Sequence, residues 1–193
     1  MKDFFFKLSE DYLPSEEEFR KVYNSLSFMD KIHFREEYTS KFSWSVITQE
    51  VVREIKDATK ELKVLEVAAG SGYLAKHLQN AGIDVLPTNL SDSDWKVNQI
   101  SFTNVKNMDA IEAVNNIEFD IVLFSWCQYG SSLAAEVFKR LKNGQRYIHI
   151  GEGWGGCTAT DEFFELISEH KSEPSYLFNF DGIRDYMEII EKG

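Results

Sequence analysis

The chain has 193 residues, 43% of them hydrophobic and 14% aromatic, which suits one domain with a sizeable core and argues against wholesale disorder. Its 21 basic and 32 acidic side chains leave a net charge of −11, and a field of that sign repels phosphate backbones and anionic lipid, so broad nucleic-acid binding and membrane docking are disfavoured. Two cysteines cannot build a disulfide framework, no apolar run approaches the roughly 20 residues of a bilayer span, and the start has too few apolar residues for a secretory leader; the expectation is a soluble cytoplasmic protein.

Residues 1–60 read as a charged, mostly helical N-terminal extension, and 61–193 as the main domain, with no linker composition between them. Ser15-Glu16-Glu17-Glu18 is a helix start with a capping box, followed by Phe19, Val22, Tyr23 and Leu26 at helical spacing. A second helix is predicted over 48–59. From residue 62, short apolar runs alternate with helical patterns, the signature of a parallel sheet with helical crossovers. Strands are predicted over 62–67, 83–88, 104–106, 119–124 and 146–150. Helices are predicted over 73–81, 111–115 and 132–141, and another opens at Thr158-x-x-Asp161. The runs 175–180 and 185–191 are candidate closing strands, the second equally readable as a helix.

In such a sheet, ligands bind beyond the carboxyl ends of the strands. The unusual residues fall on that edge: Ala68-Ala69-Gly70-Ser71-Gly72 after the first strand, then Asn89, Asp92, Asp94 and Trp95, then Met108 and Asp109, then Ser125-Trp126-Cys127-Gln128-Tyr129, and last Gly151-Glu152-Gly153-Trp154. Gly70 to Ala75 also fits the G-x-G-x-x-A dinucleotide fingerprint. Glu66 argues against that reading, because a pyrophosphate sits badly beside a carboxylate whereas a cationic ligand sits well.

The stretch Val64-Leu65-Glu66-Val67-Ala68-Ala69-Gly70-Ser71-Gly72-Tyr73-Leu74 resembles motif I of class I methyltransferases that use S-adenosylmethionine (SAM). Phe119-Asp120-Ile121-Val122-Leu123 is similar to their fourth strand, and the run from Leu141 to Ile148 to their turn into the fifth. Closest is a little-characterised methyltransferase-like group with Ser-Trp pairs (here Ser43-Trp44 and Ser125-Trp126) and a Gly-Glu…Gly-Cys-Thr-Ala loop (here Gly151-Glu152 and Gly156-Cys157-Thr158-Ala159). The resemblance implies a Rossmann-like α/β fold with a mostly parallel seven-stranded sheet. It also implies SAM as cofactor, S-adenosylhomocysteine (SAH) as product, and a small-molecule or protein acceptor. Gly70 and Gly72, with Ala68 and Tyr73, would line the methionine part of SAM, with Glu66 orienting the ammonium. Asn89 would hold the ribose, Met108 and Asp109 the adenine, and Ser125 and Trp126 would stand near the methyl. Two positions depart from the family: Ala68 replaces its usual first glycine, and Asn89 an acidic residue, for which Asp92 is a substitute.

Glu152 is the first candidate base and His149 the second; their bland readings are a solvated loop carboxylate and a packed core histidine. Asp109 reads as an adenine acceptor or a plain helix N-cap. Trp44, Tyr129 and Trp154 are candidate substrate contacts, and Trp95, Trp126 and Trp154 could wall in a planar or cationic acceptor. No metal site is evident among the four scattered histidines. Three functions stay open: a methyltransferase, a non-catalytic SAM/SAH-binding or interaction module, and a nicotinamide oxidoreductase.

Overall fold

The apolar runs after residue 62 alternate in the direction their side chains take, and that alternation makes a sheet covered on both faces. The computed structural model describes residues 2–9, 12–90 and 101–193. Its strands are β1 (Val64–Glu66), β2 (Val85–Asn89), β3 (Lys106–Asn107), β4 (Ile121–Ser125), β5 (Arg146–Glu152), β6 (Lys171–Tyr176) and β7 (Asp185–Glu191). They form one seven-stranded sheet in the order β3-β2-β1-β4-β5-β7-β6. All neighbours run parallel except β7, which is antiparallel to both β5 and β6. This is the Rossmann-like, mostly parallel architecture expected from the sequence.

The helices are α1 (Lys2–Ser9), α2 (Glu16–Asn24), α3 (Phe28–Lys41), α4 (Gln49–Thr59), α5 (Tyr73–Asn80), α6 (Ala110–Asn116), α7 (Leu133–Lys139) and α8 (Asp161–Ser168). Ile121 and Leu123 of β4, with Ile148 and Ile150 of β5, pack on one face against α1–α5. Val122 and Phe124 of β4, with Tyr147 of β5, pack on the other against α6–α8. Residues of 1–60 thus complete one core layer of the sheet. Their packing is aromatic: Phe19 meets Phe34, Tyr38 and Phe178 at centroid distances of 5.6, 5.5 and 5.5 Å. The Ser15–Glu18 capping box that opens α2 is formed in both directions.

Several boundaries differ from the sequence reading, each for a tertiary reason. Helix α3 gives a weak apolar stripe, because Phe28, Met29 and Ile32 are exposed and Phe34 and Tyr38 carry the buried face. Strand β5 runs on through Gly151 and Glu152 because β7 pairs with them, opposite Tyr186 and Asp185. Strand β6 comes earlier than 175–180, and Phe178 and Phe180 leave the sheet to join the aromatic cluster of α2 and α3. Helix α8 is preceded by Thr160, not Thr158, whose hydroxyl instead donates to the Glu152 carbonyl. No helix among the described residues is long and apolar enough to cross a membrane.

Candidate functional site

Strands β1, β2 and β4 end together, and their last residues, Glu66, Asn89 and Ser125, line one cavity of about 420 Å³. The loop from β1 to α5 forms its floor. Ala68, Gly70 and Gly72 all take left-handed backbone, at φ of 51°, 55° and 73°. Ties at both sides hold the loop: Ala69 N–H donates to Thr88 O (2.9 Å), and Gly70 N–H to Asn89 Oδ1 (3.3 Å). The Ser71 hydroxyl donates to Phe42 O (3.0 Å) at the end of α3. The two glycines serve different needs. A Cβ at Gly70 would meet nothing, leaving the backbone open to a ligand, whereas a Cβ at Gly72 would lie 2.7 Å from Val105 Cγ2. Gly72 is outside the cavity lining and lets the chain before β3 pack on the turn.

Glu66 is 2% exposed, and its Oε2 has no hydrogen-bond partner. Burial pushes its carboxyl up to about 8, against the opposing effect of the Ala75 N–H. A buried carboxyl facing a cavity with an unpaired oxygen is neutral by itself and is stabilised in its ionised form by a positive charge, so the site favours a cationic ligand. Asn89 spends its side chain on the site's own backbone: it accepts from Gly70 N–H, and its Nδ2 donates to Leu90 O at 3.2 Å. Tyr73 is buried against Phe42 and Phe102 at 5.2 and 5.0 Å and faces the cavity.

The opposite wall comes from the segment after β4 and from the N-terminal region. Trp126 has φ of 56°, rare for a bulky residue, and its N–H is fixed to Ile150 O at 2.7 Å. Its indole donates to Asp185 Oδ2 (2.9 Å) and stacks on Trp44 (5.1 Å, 18° between planes). Both tryptophans line the cavity. Burial raises Asp185 to about 6, partly offset by Trp126 and Ser45. Cys127 also lines the cavity, but burial pushes its thiol up to about 11, which keeps it a neutral, weak nucleophile.

The candidate bases stand elsewhere. Glu152 is not a solvated loop carboxylate: it is buried at the end of β5, with Oε2 accepting from Cys157 N–H (2.8 Å) and Oε1 from Arg184 N–H (3.1 Å). It holds the 153–158 loop and lies outside the cavity lining. His149 is fully buried among Phe163, Phe164 and Tyr186 at 5.4–5.7 Å, on the α8 face of the sheet. Burial lowers it to about 4, so it is neutral at physiological pH. Neither reaches the cavity.

Four further candidates are also off the lining. Asp109 caps α6, its Oδ1 accepting from Ile111 and Glu112 N–H at 2.8 and 3.2 Å. Met108 packs against the α6–α8 layer, its N–H donating to Asn89 O. Tyr129 and Trp154 are 73% and 60% exposed. Asp92, Asp94 and Trp95 lie outside the described residues. The sequence reading overlooked Thr39, Phe42 and Asp185; Asp185 has no local signal, since it meets Trp126 across 59 residues of chain.

By sequence, no family model and no curated protein matches the chain. Solved structures do resemble it. Magnesium protoporphyrin IX methyltransferase (ChlM) from Synechocystis with bound SAM superposes with a TM-score of 0.55 at 12% identity, over 86% of this chain and 85% of that one. The PH0226 protein from Pyrococcus horikoshii gives 0.53 at 15% identity, over 91% and 99%. A mutant of MtNAS gives 0.51 at 10% identity, and the match spans 74% of this chain and only 59% of that protein's length. The fold of this chain is the Rossmann-like fold shared with SAM-dependent methyltransferases.

Proposed function

We propose that the chain is a SAM-dependent methyltransferase acting on a small-molecule or protein acceptor. The observation that carries this is Glu66: a buried carboxyl with an unpaired oxygen, at the carboxyl end of β1, in a cavity with no basic side chain among its described lining residues. A phosphate-bearing cofactor would gain nothing from ionising Glu66 and would find no cation in the described lining to offset its own charge. SAM carries an ammonium and a sulfonium and no phosphate, so the donor set fits it.

SAM supplies an electrophilic methyl on sulfur. The protein's part is to bind and orient. Glu66 and the open backbone at Gly70 would take the methionine end, beside Ala68 and Tyr73. Asn89 would face the ribose, and Ser125 and Trp126 the transferable methyl. Trp44 and the end of α3 would exclude water. With Glu152 and His149 engaged elsewhere, the rate would come chiefly from holding acceptor and sulfonium in line.

A second reading, a binding module without turnover, draws on Asn89. Its carboxamide already serves Gly70 and Leu90, and it lacks the stronger, charge-assisted bonds of a carboxylate. Calorimetric titration with SAM and SAH, with NAD as control, tests the first reading. Micromolar binding of SAM or SAH is expected, and binding of NAD alone would overturn it. Asn89→Asp tests the second: a gain in SAM affinity is expected if Asn89 is the ribose ligand.

A further inference from the structure

Trp126 pairs an unfavourable backbone with a large side chain held in three ways. Its N–H is tied to β5, its ring is stacked on Trp44, and its indole N–H is donated to Asp185. Glycine would relieve the backbone, so the ring itself is what the position supplies. Asp185 is in turn fixed from behind. Its N–H donates to Asn179 Oδ1 (2.8 Å), its carbonyl accepts from Asn179 Nδ2 (2.9 Å), and β7 holds it opposite Glu152.

The chemistry of the lining narrows the acceptor. An anionic acceptor needs a cation, and no described lining residue carries one. A hydroxyl acceptor needs a base to take its proton. Besides Glu66 at the cofactor end, the described lining offers only Tyr73 and Cys127 as titratable groups, and burial keeps both neutral. A neutral nitrogen needs neither. Its lone pair forms the N–C bond as the S–C electron pair returns to sulfur, and the positive charge passes from sulfur to nitrogen. Any N–H proton leaves afterwards, to water. What such a transfer gains from a protein wall is a surface that favours the cation forming on nitrogen, and tryptophan faces do this. The Asp185 carboxylate, accepting the indole N–H, adds electron density to that ring.

We propose, resting on the methyltransferase reading above, that the acceptor is a neutral amine or heterocyclic nitrogen on a flat apolar body. The Trp44–Trp126 pair faces the charge that forms on it, and Asp185 is the positioning residue for Trp126.

The test uses the full-length protein saturated with SAH, titrated with three bicyclic probes. N-methylquinolinium mimics the charged product, quinoline is neutral, and 1-naphthoate is anionic. Binding is read by calorimetry and tryptophan fluorescence. The cation is expected to bind about tenfold more tightly than quinoline, and the anion more weakly than either. In Asp185→Asn the ratio of cation to quinoline should fall to about threefold or less, with SAH affinity unchanged. Because the ratio is taken within one variant, a partly unfolded sample does not alter it. Equal binding of cation and quinoline, or preference for naphthoate, with SAH bound would overturn the acceptor inference and leave the methyltransferase reading standing. An unchanged ratio in Asp185→Asn would overturn the role of Asp185. Failure of the wild-type protein to bind SAH would overturn the underlying reading and the inference with it.

Discussion

Glu66→Gln should change how stability depends on pH, and the sign follows from where each group titrates. The Glu66 carboxyl titrates near about 8 in the folded chain, against an ordinary 4.5. Below 4.5 both states hold the proton. From 4.5 to about 8 the unfolded chain loses it and the folded chain keeps it, so stability falls as pH rises. Two other buried groups act lower. His149, at about 4 when folded against 6.5, makes stability rise with pH up to 6.5. Asp185, at about 6 against 3.8, makes it fall up to about 6. Between pH 6.5 and 8, Glu66 dominates. At about 1.4 kcal/mol per unit, those 1.5 units amount to roughly 2 kcal/mol, or about 4–8 °C in Tm for a chain of this length. Glutamine keeps an acceptor for Ala75 N–H and cannot ionise. Wild type should therefore lose about 4–8 °C between pH 6.5 and 8, while Glu66→Gln stays flat. Thermal unfolding followed by circular dichroism reads this directly, and parallel curves for the two proteins would refute a buried, protonated Glu66. The same linkage predicts that SAM, by ionising Glu66, releases close to one proton near pH 7. Calorimetry in buffers of different ionisation enthalpy would detect it.

Other perturbations separate structural from functional roles in the same loops. Ala68→Gly relieves a left-handed alanine but loosens the unfolded chain, so a net gain of up to about 1 kcal/mol is expected in denaturant unfolding. Gly72→Ala combines a strained φ of 73° with a Cβ 2.7 Å from Val105 Cγ2 and should lose about 2–3 kcal/mol in the same assay. Glu152→Gln turns an amide NH2 toward a backbone N–H and should cost about 1–3 kcal/mol of stability, with SAM affinity unchanged. A selective loss of turnover at full stability would return Glu152 to the chemistry.

Some of the site was legible because its signal is local. The glycine turn, Glu66 and the strand-to-helix switch fall within ten residues, and their order marks a candidate ligand loop at the carboxyl end of a strand. The capping box of α2 is readable for the same reason: its partners are three residues apart. Helix α3 is not, because its buried residues Phe34 and Tyr38 pack on Phe180, far along the chain. Glu152 and His149 look alike from the sequence, both near the exit of an apolar strand. Pairing with β7 and packing by α8 decide that both are occupied away from the cavity.

The sequence by itself determined the α/β class, the first five strands, the acidic composition and the glycine turn proposed to meet a ligand, since each depends on neighbours in the chain or on composition alone; the two closing strands needed the pairing of β7 with β5 and β6. Only the tertiary structure decided what surrounds that loop. It brought Trp44 from the N-terminal region and Asp185 from β7 to Trp126, and left Tyr129 and Trp154 on the surface. Contacts between residues 59 and 82 positions apart leave no periodic trace; the register of β7 against β5 places Asp185 for the first, and the packing of the N-terminal helices on the sheet places Trp44 for the second.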